Sequence, residues 1–415
     1  MNKNLKIITI IAMMFLYAMI AFVTNLAAPV GKIWEQSFEH TDHAGIYGML
    51  GNLCNFLAYL IMGIPAGNFL AKFGYKKTAL VAILLGLFGI AIQWLSGATD
   101  SFVIYLVGAL ICGFCVCMLN TVTNPMLNLL GGGGKKGNQL NMIGGTLNSL
   151  SGTLTPMLVG ALVGASLVGK EIDDVNIVLF IAMAVFALIF IIIYFTPFVE
   201  PEGAGQEVTY ERSPWAFRHL TLGVIAIFFY VGVEVGVPAA LISYLHKNNY
   251  TGYDTATFIA GLYWLLMLVG RTVGSFVGGK VSSRTMVVCV STCAIALMGV
   301  AMLLGDSASV SMPTNWSFAM QQVPVAALLI VLVGLCTSVM WTSIFNMATE
   351  GLGKYTAKAS GIFMMMVVGG GVLPLIQSAF TDYLLGYIVP IIGVAYILFY
   401  ALGGSKNVNK DIKVE

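Results

Sequence analysis

Runs of about 20 apolar residues recur along nearly the whole of this 415-residue chain, broken only by short charged or Gly/Pro-rich connectors. Each run is long enough to cross a hydrocarbon layer about 30 Å thick as a helix. A water-soluble fold fails on composition: 58% of residues are hydrophobic and 9% charged, against roughly 45 to 50% and about 25% in soluble domains. The bilayer is therefore the expected solvent and partner. Nucleic acid is excluded as a partner, because a formal charge of +2 scattered between apolar runs offers no concentrated basic face.

Twelve spans are expected, at 8–30, 45–70, 78–95, 102–130, 139–168 and 177–197, then at 217–245, 255–279, 285–304, 323–349, 356–381 and 383–402. The first run follows a short basic segment but exceeds the 7 to 15 or so apolar residues of a signal peptide, so it is expected to remain. The reading is an all-α membrane protein of two six-helix halves: 1–197, a cytoplasmic linker 198–216, 217–403 and a cytoplasmic tail 404–415. Of the 20 Lys and Arg residues, sixteen fall in connectors at one end of this layout, and only Lys32, Lys170 and Lys247 at the other. Arg271 lies inside a span. Loops kept in the cytoplasm are enriched in Lys and Arg, so both termini are placed there, in a bacterial inner membrane. Gly67-Asn68-Phe69-Leu70 leading to Lys77-Thr78 is matched half a chain later by Gly274-Ser275-Phe276-Val277 leading to Arg284-Thr285. Parallel repeats of this kind place a site at mid-depth between two rocking halves.

Polar groups inside the spans are costly and point to that site. Glu234 in the seventh span and Arg271 in the eighth lie within about 10 Å of each other in depth at 1.5 Å per residue. They pair either as a structural brace or as a functional couple, and the residues alone leave both readings open. A constellation of amides accompanies them: Asn25, Asn52, Asn55, Asn120, Asn124, Asn141, Asn148 and Asn346. Singly, such amides cross-link helices; together they suit a neutral, hydroxyl-rich ligand. Tyr263, Trp264 and Trp341 are candidates to stack on a sugar ring, against packing as the alternative.

Other patterns dissolve on inspection. The seven cysteines lie in apolar runs as small hydrophobes, and Cys112, Cys115 and Cys117 have no His or carboxylate beside them, so no metal or cofactor is expected. Gly131 to Gly134 before Lys135-Lys136 lacks the Ser or Thr of a phosphate loop. An intramembrane enzyme would need H-E-x-x-H or paired aspartates in facing spans, and neither is present. Gly164-Ala165-Ser166-Leu167 resembles a serine-protease turn with no embedded His as base.

Several segments together resemble the major facilitator superfamily, in its branch of fucose permeases and glucose/galactose transporters. They are Ile64-Pro65-Ala66-Gly67 with Lys72-Phe73-Gly74-Tyr75-Lys76-Lys77, Asn124-Pro125, Asn148-Ser149, Phe229-Tyr230-Val231-Gly232-Val233-Glu234-Val235, Tyr263-Trp264 through Gly270-Arg271, and Gly351-Leu352-Gly353-Lys354 with Val368-Gly369-Gly370. The resemblance implies uptake of a monosaccharide by alternating access, usually with a proton, by a monomer. It implies a gating loop at Gly67, Gly74, Lys76 and Lys77. It also implies a substrate site of Asn25, Asn120, Asn124, Asn148, Glu234, Tyr263, Trp264, Trp341 and Asn346. Two positions that are acidic in that branch are amides here, Asn25 and Asn120, and its sugar-binding Gln falls at Gly145. Glu234 is then the acid left to carry a proton; sodium coupling or none at all are the alternatives. Outside sugar uptake, efflux of a hydrophobic compound and a non-transporting sensor are the rival readings.

Overall fold

The computed structural model describes residues 3–26, 28–38, 44–163, 172–200, 209–409 and 411–414. The 164–167 turn, Lys170 and the middle of the linker lie outside them. Helices dominate: α1 (Lys3–Leu26), α2 (Ala28–Ser37), α3 (Ala44–Phe73), α4 (Tyr75–Ala98), α5 (Phe102–Leu130), α6 (Gly134–Val163) and α7 (Asn176–Phe195) build the first half. The second comprises α8 (Arg218–Lys247), α9 (Tyr253–Val277), α10 (Ser283–Leu304), α11 (Val325–Thr337), α12 (Met340–Ala348), α13 (Thr356–Met365), α14 (Gly369–Ser378) and α15 (Ile388–Phe399). α11 with α12, and α13 with α14, each form one interrupted span.

Among the described residues, eleven segments are long and apolar enough to cross a membrane. The twelfth expected span is α6, 30 residues long but lined with Gln139, Asn141, Thr146, Asn148, Ser149 and Ser151. Four of those side chains bond to other helices: Asn148 Nδ2 donates to Tyr17 O at 2.9 Å, Asn141 Nδ2 to Asn124 O at 3.0 Å and Gln139 Nε2 to Ser275 O at 2.9 Å, while Ser149 Oγ accepts from Arg271 at 2.7 Å. A polar span is tolerated where its polar groups are bonded inside the bundle.

Between α10 and α11 the chain forms an antiparallel hairpin, β1 (Ser309–Pro313) with β2 (Met320–Pro324). The expected layout treated this stretch as plain connector. Trp316 and Phe318 at its tip are exposed, and the Trp316 ring meets Phe258 of α9 edge-on.

The two halves meet most tightly at the end that carries the termini. α3 crosses α13 at glycine: a methyl group added at Gly361 would lie 2.4 Å from Gly63 O and 2.6 Å from Gly67 Cα. Backbones can approach so closely only where side chains are absent. α6 approaches α9 in the corresponding way, with Gln139 Nε2 donating to Ser275 O at 2.9 Å and Lys135 Nζ to Lys280 O at 2.9 Å. Two more bonds tie α12 to the start of α6: Asn138 Nδ2 to Ser343 Oγ at 3.3 Å and Asn346 Nδ2 to Gly134 O at 3.2 Å.

The segment expected to form a gating loop belongs to this closed end. Gly67 sits in the α3–α13 crossing, and Gly74 has φ 82°, a left-handed conformation suited to glycine. That turn exposes the first amides of α4 to Glu200, whose carboxylate accepts from Tyr75 N and Lys76 N at 2.8 Å each. Lys76 also lies over the Phe198 ring, while Lys77 is exposed. Glu200→Ala is expected to lose about 1 kcal/mol, the usual worth of such a cap, read as a lower unfolding temperature of the detergent-solubilised protein; Glu200→Asp should keep part of it.

Candidate functional site

Between the halves, on the side of the closed end that faces away from the termini, lies a cavity of about 170 Å³. Tyr59, Asn55 and Asn52 of α3 line one side, with Thr24 of α1; Glu234 of α8 and Trp341 of α12 line the other. The span interruptions fall beside it. α11 gives way to α12 at Ser338 and Val339, just before Trp341, and a short 3-10 turn (Met366–Val368) separates α13 from α14 at Val367, another wall residue. A single 3-10 turn within a helix is a common hinge.

Glu234 and Arg271 form the expected pair: Arg271 Nη2 donates to Glu234 Oε1 at 3.1 Å, and each side chain is 14% exposed. Tyr230 OH donates to the same oxygen at 2.9 Å. Among the described residues Oε2 takes no hydrogen bond. Arg271 also reaches across the halves, Nη1 donating to Ser149 Oγ at 2.7 Å and approaching Gly145 O at 3.5 Å. The pair is thus both a brace and part of a cavity wall.

The amides stand mostly one layer behind. Asn120 Nδ2 donates to Tyr59 OH at 2.8 Å. Asn124 Nδ2 donates to Asn120 O at 2.9 Å, and its Oδ1 accepts from both Tyr17 OH and Trp341 Nε1, the latter at 3.1 Å. A chain of bonds therefore runs from the first half's amides to the indole of the second. Each link fixes the orientation of a wall residue, Tyr59 on one side and Trp341 on the other. The Trp341 ring packs edge-on against Tyr230 and Phe363, 6.1 and 6.4 Å between centroids.

Of the nine expected site residues, Glu234 and Trp341 line the cavity, and Asn120 and Asn124 support it directly. Asn148 holds α6 to α1 through Tyr17 O, and Asn25 bonds back to Ala21 O at 2.8 Å beside Gly152. Trp264 is 45% exposed and lies seven residues from Arg271, on the same face of α9 two turns away. Two residues sit elsewhere. Tyr263 is fully buried, its hydroxyl 2.9 Å from Thr337 Oγ1, and Asn346 belongs to the closed end, bonded to Gly134 O and Ser283 Oγ. Tyr17, Tyr59 and Tyr230 are the participants that sequence reasoning missed.

A wall with one phenol, two amides, one indole and one carboxylate can bind hydroxyl groups on several sides while stacking on an apolar ring face. Against known proteins, residues 10–375 match the Major Facilitator Superfamily. The chain belongs to this superfamily. As a Major Facilitator Superfamily protein it is a membrane transporter and not an enzyme. It is 28% identical over 420 residues to the glucose/galactose transporter of Brucella abortus biovar 1, covering 98% of this chain and 95% of the relative. The L-fucose-proton symporter of Escherichia coli is 22% identical over 400 residues, 89% of this chain and 85% of that one. A crystal structure of the Escherichia coli fucose:proton symporter superposes with a TM-score of 0.80 at 20% identity, covering 97% of this chain and all of the other. The expected superfamily fold of two six-helix halves stands.

Proposed function

We propose that this transporter takes up a monosaccharide, holding it in the central cavity and coupling its movement to a proton on Glu234. The observation that carries the reading is the position of Glu234: a mid-span carboxylate in the cavity wall, with Oε2 available opposite Asn52, Asn55 and Tyr59. The printed names of the glucose/galactose and fucose-proton relatives support the substrate class and the ion. Asn25 and Asn120 cannot titrate, so the proton falls to Glu234, the one carboxylate embedded at this depth among the described residues. Asn120 and Asn124 would orient Tyr59 and Trp341 toward the sugar, and Asn25, Asn148 and Trp264 would meet it, or its path, on the far side.

The excess of Lys and Arg at the end bearing the termini supports placing that end, the 198–216 linker and the tail in the cytoplasm, in an inner membrane. On that orientation the closed end faces the cytoplasm and the structure is outward-facing. The breaks in the tenth and eleventh spans and the glycine crossing of α3 with α13 would then be the moving parts as residues 1–197 rock against 217–403.

The test is counterflow. Proteoliposomes loaded with unlabelled D-glucose, D-galactose or L-fucose should draw in the same labelled sugar transiently above equilibrium. Absence of counterflow with every sugar would overturn the substrate class.

A further inference from the structure

The β1–β2 hairpin takes no part in the central cavity, yet it is firmly built. It stands at the end away from the termini, where α10 finishes and α11 begins. Met312 and Val323 at its base are buried, and Gln321 Nε2 donates to Tyr250 O at 3.0 Å. Val325 N donates to Ala308 O at 2.9 Å and closes the base. The tip carries the opposite character. Trp316 and Phe318 are 75% and 73% exposed, Met320 is exposed beside them, and no residue from 309 to 324 is charged. Turns that face water are built of small polar residues, so three large apolar side chains at a tip mark a surface that meets something other than water.

The tip backbone is bonded within itself. Asn315 Oδ1 accepts from Ser317 N at 2.9 Å and Ala319 N at 3.3 Å, and Phe318 N donates to Asn315 O at 3.1 Å. Ala319 O accepts from Thr314 N at 2.8 Å and Thr314 Oγ1 at 2.9 Å. These amides therefore need no water, which is the condition for backbone to enter a poorly hydrated layer. Phe318 has φ 57°, a conformation usually left to Gly or Asn, and it leaves a large ring in the open.

Position decides the partner. The Trp316 ring meets Phe258 of α9 edge-on, 5.2 Å between centroids. Phe258 shares one face of α9 with Leu265, Val269 and Phe276, all three exposed. Trp264 and Arg271, which serve the central cavity, lie roughly 120 to 140° round the helix from Phe258. That apolar face is the one α9 turns to lipid, and the exposed Leu303 at the end of α10 continues it. The tip thus extends a lipid-facing surface at its rim instead of roofing the cavity. Aromatic rings are favoured at that depth of a bilayer.

We propose that the hairpin tip is a membrane-interface anchor, with Trp316, Phe318 and Met320 seated in the headgroup layer of the leaflet at the end away from the termini. With no charge in the hairpin, zwitterionic and anionic bilayers should hold it equally.

A nitroxide at Ser317→Cys tests this in full-length protein with Cys54, Cys289 and Cys293 changed to serine, in vesicles of phosphatidylcholine with and without phosphatidylglycerol. Position 317 is exposed and leaves both rings in place. Collisions with oxygen, which concentrates in the bilayer, should exceed those with a water-soluble nickel chelate in both lipids. Adding Trp316→Ser and Phe318→Ser, which alters only exposed side chains, should reverse that ratio. Collisions dominated by nickel with both rings present would put the tip in water and overturn the anchor. Shielding from both reagents would show that protein covers the tip, a second copy or the same chain folded over its cavity, and would overturn it equally. A ratio indifferent to loss of the rings would do so too.

Discussion

Arg271→Met should abolish transport and lower stability in detergent by about 3 kcal/mol, the lower end of the cost of stranding one partner of a buried ion pair. The substitution keeps the length and apolar stem of the side chain but removes three interactions. Glu234 Oε1 loses its 3.1 Å donor and is left with Tyr230 OH alone, in a site where its side chain is 14% exposed. Ser149 Oγ and Gly145 O lose their donor, at 2.7 and 3.5 Å, so two bonds between the halves disappear as well. The double variant Arg271→Met with Glu234→Gln should recover most of the stability, because it leaves no uncompensated charge, yet should not recover transport. Thermal unfolding and uptake on the same preparations check this. A single variant as stable as wild type would show that the pair is solvated and that the brace does not exist.

Gly361→Val should open the end that carries the termini. A Cβ there meets backbone atoms of α3, at 2.4 Å from Gly63 O and 2.6 Å from Gly67 N, and backbone cannot rotate aside as a side chain can. The helices must separate, at a cost of about 1 to 3 kcal/mol for overpacking, charged only to the state in which they touch. That shifts the ratio of closed to open forms by roughly 5- to 150-fold. Nitroxides at positions 136 and 280, both exposed and on opposite halves of the α6–α9 contact, report the change, in a background where the exposed Cys289 and Cys293 are serine. The distance distribution should move to longer values in the variant and uptake should fall at least tenfold. An unchanged distribution would place the hinge elsewhere.

Much of the fold was legible because lipid imposes a simple rule. A helix must be long and apolar to cross, and eleven of the segments obey it well enough to be read from hydropathy. α6 shows where the rule weakens, since its Asn148, Asn141 and Ser149 bond to α1, α5 and α9. The β1–β2 hairpin escaped for a different reason. Its alternation, Ser-Val-Ser-Met on one strand and Gln-Gln-Val on the other, is too short to stand out beside spans of 20 and more residues.

The site divides in the same way. Glu234 and Arg271 announced themselves because an unpaired charge in hydrocarbon is hard to sustain, and their depths matched. Residue type and depth do not settle rotation about a helix axis, however. Tyr263 is turned into the second half toward Thr337, while Trp264, one position on, is turned out. Asn346, five residues past Trp341, has already reached the closed end. Tyr17, Tyr59 and Tyr230 were passed over because a tyrosine in a span reads as packing; only their hydrogen bonds to Asn124, Asn120 and Glu234 mark them as part of the network.

Accumulation of labelled D-glucose and D-galactose in proteoliposomes under an imposed pH gradient, acid outside, tests the central claim most directly when wild type is compared with Glu234→Gln. Wild type should concentrate at least one of the sugars above equilibrium, while the variant should retain counterflow without a gradient and lose the gradient-driven accumulation. Accumulation by the variant equal to that of wild type would contradict the assignment of the proton to Glu234, and equilibration of wild type without accumulation would contradict proton coupling itself.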